Sequence, residues 1–148
     1  MKFSKKSRYG VAALIDLAVN SKNGHVALGS IAERNEISPQ YLEQVFASLR
    51  RAGIVKSVKG SQGGYLLKYP SSSITVASII QALEGTYYLD DEETKTEESA
   101  AGIAETIQED IVDRVNHGLD QILQNLTLAD LEESFQGRQS GGQEMYYI

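Results

Sequence analysis

Cysteine and tryptophan are absent from this chain of 148 residues, and histidine occurs only twice. The lack of cysteine excludes disulfides, thiolate metal sites, cysteine nucleophiles and thiol-based redox sensing. Because His25 and His117 lie far apart in the sequence, a zinc site would need a carboxylate-rich set of partners. We therefore predict that the protein holds no metal and no cofactor.

Long apolar runs are also missing. The longest strongly apolar stretch, residues 11–19, is well short of the roughly 20 residues that a membrane-spanning helix needs. The N-terminal residues are basic and lead into an amphipathic segment, without the apolar run and small-residue cleavage site of a secretory signal. These features predict a cytoplasmic protein with no membrane partner.

Acidic and basic residues are distributed unevenly along the chain. Residues 1–70 contain 11 Lys and Arg against 4 Asp and Glu, a net charge of +7, whereas residues 71–148 contain 3 against 16, a net charge of −13. The sum of +7 and −13 equals the net charge of −6. Such asymmetry is typical of a polyanion-binding part joined to an acidic part, so we expect the function in the N-terminal half.

The basic half contains the pattern of a helix-turn-helix. Apolar residues at helical spacing predict a first helix over residues 6–20, and Ser30 precedes a short helix over residues 31–35. Ser38 at the N-cap and Pro39 at the first helical position predict the start of the next helix. Its apolar stripe comprises Leu42, Val45, Phe46 and Leu49, and its other face carries Gln40, Glu43, Gln44 and Arg50.

Two short β-strands are predicted after this helix, over residues 54–58 and 65–69, with a glycine-rich loop between them. A short helix, a turn, a capped helix and a hairpin in this order are typical of a winged helix-turn-helix. We therefore predict a mainly α-helical fold with a small β-hairpin, the wing. Residues 1–85 are assigned to this DNA-binding domain.

The second half is predicted to be a dimerisation arm. Residues 86–100 have the composition of an acidic, solvated linker. Residues 101–134 contain a long amphipathic helix and then a short helix that begins after Thr127, and residues 135–148 have the glycine-rich composition of a flexible tail. Packing of the long helix on the first helix is the alternative to a homodimer. The stripe that a second copy would cover comprises Ile103, Ile107, Ile111, Val115, Leu119 and Ile122.

Exposed polar residues of the basic half predict contacts with DNA. Gln40 and Gln44 can pair with adenine, and Glu43 can accept a hydrogen bond from the amino group of cytosine. The wing glycines allow either a tight turn or close approach of the backbone to a groove. The alternative for each residue is an ordinary turn or solvated surface position. The cations that we expect to contact phosphates are Lys5, Lys6, Arg8, Arg50, Arg51, Lys56 and Lys59.

No catalytic constellation is present in the sequence. The acidic residues 90–98 lack the spaced glycine and terminal glutamate of a calcium-binding loop. The glycines of residues 60–64 are not followed by the lysine and hydroxyl residue of a phosphate-binding loop. We therefore predict a regulator and not an enzyme.

Several motifs of the chain resemble the Rrf2 family of bacterial transcriptional regulators. They are Lys-Ser-Arg-Tyr-Gly at residues 6–10, Ile-Ser-Pro-Gln-Tyr-Leu-Glu-Gln at 37–44, Leu-Arg-Arg-Ala-Gly-Ile-Val at 49–55, Gly-Ser-Gln-Gly-Gly-Tyr at 60–65 and Leu-Glu-Gly at 83–85. The resemblance implies an N-terminal winged helix and a long C-terminal dimerisation helix. It also implies that the recognition helix lies in the major groove and the wing in the minor groove. The two-fold symmetry of a homodimer predicts a palindromic operator.

The resemblance implies roles for individual residues as well. It assigns base contacts to the two glutamines and the glutamate of the recognition helix, a wing contact to Lys59, and phosphate contacts to Ser38 and Tyr41. In addition to the other cations named above, the predicted DNA contacts are Lys5, Arg8, Ser38, Pro39, Gln40, Tyr41, Glu43, Gln44, Arg50, Lys59, Gly60, Gly63, Gly64 and Tyr65.

Many members of this family hold an iron–sulfur cluster through three cysteines in the segment after the fourth helix. Residues 86–101 occupy that place here and contain no cysteine. The resemblance therefore does not extend to cluster sensing, and we expect the regulatory signal to enter elsewhere.

Within the family, the cysteine-free segment and the terminal Tyr-Tyr-Ile resemble members that control cysteine metabolism together with O-acetylserine sulfhydrylase. That enzyme binds an amino-acid carboxylate in its active site, where its partner serine acetyltransferase docks with a C-terminal isoleucine. The resemblance implies that Tyr147 and Ile148 bind the same enzyme in competition with O-acetylserine. A frayed end, or a tail packed on its own dimer, is the alternative.

Two other functions stay open at this point. One is an Rrf2 regulator of another pathway, responding to a small ligand bound between the wing domain and the long helix. The other is a winged-helix module that binds protein and not DNA, for which we would expect no salt-dependent DNA affinity.

Overall fold

A computed structural model describes residues 3–90 and 101–146. Its helices and one antiparallel hairpin confirm the predicted mainly α-helical fold with a small β-hairpin. The elements are α1 (Lys5–Asn20), α2 (Leu28–Asn35), α3 (Pro39–Arg51), β1 (Val55–Val58), β2 (Gly64–Leu67), a 3₁₀ turn (Ser71–Ser73), α4 (Val76–Glu84), α5 (Ala101–Ile107), a π-helical segment (Gln108–Asp113), α6 (Arg114–Leu123) and α7 (Leu128–Tyr146).

The main core lies between α1, α2, α3 and α4. The stripe predicted for α3 is fully buried there, with Phe46 at its centre and the ring of Tyr65 4.7 Å away between centroids. Burial of a phenylalanine or leucine side chain contributes about 1.5–3 kcal/mol to folding. Because one face of α3 is used in this way, its opposite face remains in solvent.

Side-chain caps begin the helices where the sequence predicts them. The Ser38 hydroxyl accepts a hydrogen bond from the Tyr41 N–H at 3.2 Å, and the Thr127 hydroxyl accepts one from the Asp130 N–H at 3.2 Å. Helix α2 differs, because it begins at Leu28 and not after Ser30. Its first backbone donors bond to the Ala27 carbonyl, and no side chain caps it.

The wing is joined to the segment between α1 and α2. Strands β1 and β2 pair from Val55 opposite Leu67 to Val58 opposite Gly64. Val26 adds a short bridge on the other side of β2, with backbone hydrogen bonds of 3.0 and 2.9 Å to Tyr65. The base of the wing is therefore held by three extended segments.

The long helix predicted over residues 103–126 is present with two differences. A π-helical segment interrupts it between α5 and α6, and the helix ends at Leu123. Most of the predicted stripe is exposed, but Leu119 is half-buried against a second core cluster around Ile80 and Tyr87. Leu119 therefore packs within its own chain, because α6 lies against α4. The exposed members of the stripe are Ile103, Ile107, Ile111, Val115 and Ile122.

The structure differs most from the prediction after Ser134. Helix α7 continues to Tyr146, although three glycines lie in this stretch and each disfavours a helix by about 1 kcal/mol relative to alanine. The first turns of α7 are anchored on α1, because Leu128 is buried in the main core and Glu132 pairs with Lys22 at 3.0 Å. The prediction of a flexible tail is therefore wrong for residues 135–146. Tyr147 and Ile148 lie outside the described residues.

The first residues of the predicted linker are clamped onto α6. The Tyr87 hydroxyl donates to the Asp120 carboxylate at 2.5 Å, and the Tyr88 hydroxyl donates to its two oxygens at 2.7 and 2.6 Å. Asn116 accepts a hydrogen bond from the Leu89 N–H at 2.8 Å. Residues 91–100 lie outside the described residues, so the prediction of a solvated linker is not tested there.

This clamp predicts a pH dependence of stability. Hydrogen bonds from the two tyrosines lower the pKa of Asp120 below its usual 3.8. A depressed carboxyl pKa stabilises the fold above pH 3.8, and this contribution is lost as the pH falls through the lowered pKa. We expect Asp120→Asn to flatten the acid limb of unfolding free energy against pH, measured by denaturant titration. If the unfolding free energies of the wild type and the variant depend on pH in the same way, the hydrogen bonds to Asp120 do not stabilise the fold.

Candidate nucleic-acid interface

The helix-turn-helix consists of α2, a short turn and α3. Glu36 adopts a left-handed conformation with φ of 53°, and Ile37 is buried beneath the turn. The Ile37 N–H donates to the Ala32 carbonyl at 3.0 Å, which ends α2 and redirects the chain into α3. A three-residue turn of this kind fixes the angle at which α3 leaves α2.

The outward face of α3 carries the predicted base-contacting residues. Gln40, Glu43 and Gln44 are exposed on the side opposite the buried stripe, and Arg50 is exposed near the C-terminal end. Amide and carboxylate side chains with this freedom can hydrogen-bond to base edges in a major groove. Ser38 and Pro39 are exposed at the N-terminus of the helix, where backbone N–H groups and the helix dipole favour an anion.

The basic N-terminus of α1 lies beside α3. The Tyr9 and Tyr41 rings meet edge to face with centroids 5.7 Å apart, and the Lys6 ammonium donates to the Ser48 hydroxyl at 3.4 Å. Lys5 stands over the Tyr9 ring at 5.4 Å and is exposed, as is Arg8. Two helices therefore present cations and polar groups to one surface. Tyr41 is only half-exposed because its ring takes part in this packing.

The five residues predicted to contact DNA from the wing fall into two groups. Lys59 and Gly60 are exposed at the hairpin tip. Gly63 and Gly64 have an intramolecular reason to be glycine, since a Cβ on them would collide with the backbone of Val58 and Val26 respectively. Tyr65 packs on Phe46. Their contribution to DNA binding stays a prediction.

His25 supports the wing tip in a way that the sequence pattern did not indicate. The sequence analysis considers His25 only as a possible zinc ligand. In the structure, its Nε2 lies 2.5 Å from the Gln62 carbonyl oxygen. The ring is exposed, so this contact joins two surface loops and not core elements. The only sequence signal is its place directly before Val26, which pairs with β2.

We expect His25→Ala to weaken DNA binding about fivefold, because a hydrogen bond contributes ~1 kcal/mol and its loss frees the tip that carries Lys59. Fluorescence anisotropy with labelled duplex measures the affinity. His25→Gln, which keeps a side-chain N–H donor, is the matched control and should restore most of it. Equal affinity of the alanine variant and the wild type would remove His25 from the interface.

Comparison with known proteins identifies the family. A model of the Rrf2 family, described as an iron-dependent transcriptional regulator, matches residues 3–134. The chain belongs to the Rrf2 family. It is therefore a transcriptional regulator and not an enzyme.

Individual relatives agree with this assignment. The HTH-type transcriptional regulator CymR of Bacillus subtilis is 38% identical over 152 aligned positions that cover all of both chains. The regulator IscR of Yersinia enterocolitica is 38% identical over 88% of this chain and 79% of its own. The solved structure of B. subtilis CymR, called the global cysteine regulator, superposes with a TM-score of 0.76 at 36% identity, over 90% of this chain and 98% of that chain.

The residues of this Rrf2 protein do not fit a cysteine-held iron–sulfur cluster. The chain has no cysteine. Within residues 3–90 and 101–146, no three or more histidine and carboxylate side chains come together as a metal site. The part of the chain that the structure describes also contains no helix long and apolar enough to cross a membrane.

Proposed function

We propose that this Rrf2 regulator acts as a homodimeric repressor on a palindromic operator, with α3 in the major groove and the wing tip in the minor groove. The exposed polar face of α3 carries the proposal, because the cations of α1 lie beside it and the wing tip carries a further exposed cation, Lys59. Phosphate contacts from these cations supply affinity and position the protein, and the polar face of α3 supplies sequence preference. A net charge of +7 for residues 1–70 favours binding to the phosphates of DNA.

Dimerisation is supported by the exposed stripe that runs along α5, the π-helical segment and α6. The exposed fractions of these residues run from 38% for Val115 to 67% for Ile103, which is unusual for so many large apolar residues on one helix face. A second copy that presents the same stripe across a two-fold axis would cover it. The two copies of α3 would then face successive major grooves, about one helical turn apart.

Recovery and sequencing of the DNA bound to this protein in cells tests the proposal. We expect the recovered fragments to share a short palindrome with half-sites about 10 base pairs apart. Recovery of no specific DNA, together with salt-independent retention on duplex, would instead identify a winged helix that binds protein.

A role in cysteine metabolism extends the proposal. It is supported by full-length similarity to B. subtilis CymR, a protein described as the global cysteine regulator of that organism. The proposed partner is O-acetylserine sulfhydrylase, whose carboxylate site would accept the terminal residues Tyr147 and Ile148. Binding of a terminal carboxylate by backbone N–H groups, with a pocket for the last apolar side chain, is a known mode of peptide recognition.

Calorimetry with the purified enzyme tests this partner. We expect binding by the full chain, loss of binding on deletion of Tyr147 and Ile148, and displacement by O-acetylserine. Tyr69→Ala is the matched control, because it removes an exposed tyrosine far along the chain from the terminus. Binding that survives the deletion, or that O-acetylserine does not displace, would exclude the terminal residues as the docking element.

A further inference from the structure

A cavity of about 600 Å³ lies where α7 crosses α1 and α2. Its volume is in the range of small-molecule sites. Ala12, Ile15 and Val19 of α1 and Phe135 of α7 form apolar walls. The cavity therefore lies between the helix-turn-helix and the helix that follows the proposed dimerisation arm.

The acidic group of the cavity, the Asp16 carboxylate, already has a full set of hydrogen-bond donors. The Asp16 carboxylate accepts hydrogen bonds from Arg34 at 2.7 and 2.9 Å, from Asn35 at 3.0 Å and from Asn20 at 3.3 Å. Each carboxylate oxygen has two donors, which leaves little capacity for a further cation or ammonium group. Its side chain is 9% exposed, and its negative charge is balanced by the Arg34 guanidinium at 2.7 Å.

The basic group of the cavity, the Arg34 guanidinium, uses only part of its hydrogen-bonding capacity. Arg34 binds Asp16 through Nε and Nη2, and its side chain is 44% exposed. Among the described residues, no group bonds to its Nη1, so one edge of the guanidinium fork remains available to a second carboxylate. Gln139 of α7, which also lines the cavity, makes no hydrogen bond within the described part of the chain and can add an amide donor.

We propose that this cavity is an effector site for a small organic monocarboxylate with an apolar body. The carboxylate binds the free edge of Arg34 and the Gln139 amide, and the body contacts Ile15, Val19 and Phe135. A ligand held there connects α2 to α7, and so connects the DNA-binding unit to the helix after the dimerisation arm. Its effect on operator affinity rests on the function proposed above, whereas the binding itself does not.

Hexanoate is a suitable probe, with hexanamide as its uncharged analogue. For a ligand of this size we expect about millimolar affinity. Titration into ¹⁵N-labelled protein without DNA should shift the side-chain amide signals of Asn35 and Gln139. Hexanamide should bind about tenfold more weakly, because it cannot form the charge-assisted pair with Arg34.

Variants of the cavity separate this site from non-specific binding. Arg34→Gln should weaken hexanoate about tenfold, and Ala12→Leu should block it by filling the apolar end. Lys68→Gln is the matched control, because it removes an exposed cation that does not line the cavity. Equal binding of hexanoate and hexanamide, or undiminished binding by Arg34→Gln, would overturn the site.

The regulatory part has its own readout. In the wild type, saturating hexanoate should change operator affinity at least about threefold, and in Arg34→Gln it should leave the affinity unchanged. Hexanoate binding without any change in operator affinity would overturn the coupling and leave the site in place. A protein that binds hexanoate but no DNA at all would instead overturn the proposed DNA-binding function.

Discussion

Replacement of both Ile107 and Ile111 by aspartate should convert the dimer into a folded monomer and lower operator affinity about a thousandfold. Both residues are about half-exposed, at 51% and 53%, so the substitutions leave the packing of the single chain intact. In the dimer they would bury unpaired carboxylates at the centre of an apolar interface, which is strongly unfavourable. A monomer can occupy only one half-site and approaches the non-specific affinity of the protein, which is typically 10³-fold or more weaker.

Light scattering for mass, circular dichroism for folding and anisotropy for DNA affinity check this result. Glu105→Lys is the control, because it changes the charge two residues from the stripe, on the opposite face of α5. It should remain dimeric. A wild-type protein that is strictly monomeric at micromolar concentration would refute the proposed dimer before any variant is made.

Operator affinity should also fall about a thousandfold when the salt concentration is raised fourfold. With about six phosphates neutralised by the cations of α1, α3 and the wing, the slope of log affinity against log salt is near −5. Release of condensed counterions is the physical reason, so the fall should also occur on random duplex. A slope near zero would show that these exposed cations do not meet phosphates.

Two single substitutions divide the interface into phosphate and base contacts. Lys59→Ala should weaken all sequences alike and reduce the slope by about one, because it removes one phosphate contact. Glu43→Ala should leave the slope unchanged and relax the preference at one base pair, by about 1–3 kcal/mol. Lys22→Gln, in which the lost cation pairs with Glu132 in the wild type, should change neither quantity. If both test variants bind like the wild type, the proposed surface is wrong.

Much of the DNA-binding half could be predicted because its signals are local. The Ser38 and Pro39 pair begins α3, and the apolar spacing selects its buried face. Each of these features depends on residues within about two helical turns, so it can be predicted from the local sequence alone. The exposure of Gln40 and Gln44 follows from the same spacing.

The details of the wing could not be predicted in this way. The sequence pattern leaves Gly64 open between a turn and approach to a groove, whereas the structure places it against Val26, 38 positions earlier in the chain. The contact of His25 with the Gln62 carbonyl spans 37 positions. Both features arise from chain segments that meet only after the core has formed, and neither leaves a periodic signal.

The sequence by itself determined the winged helix-turn-helix, the separation of basic and acidic halves, and the exclusion of cysteine chemistry. Helix caps and apolar periodicity depend only on neighbouring residues, and composition does not depend on the fold. The tertiary structure alone decided that Leu119 packs on α4, that α7 continues past its glycines, and that Arg34 and Phe135 line one cavity. Leu128 and Glu132 anchor α7 on α1, and this docking outweighs the low helix propensity of the glycines that follow. Such choices depend on the free energy of contacts between distant segments, which no local pattern contains.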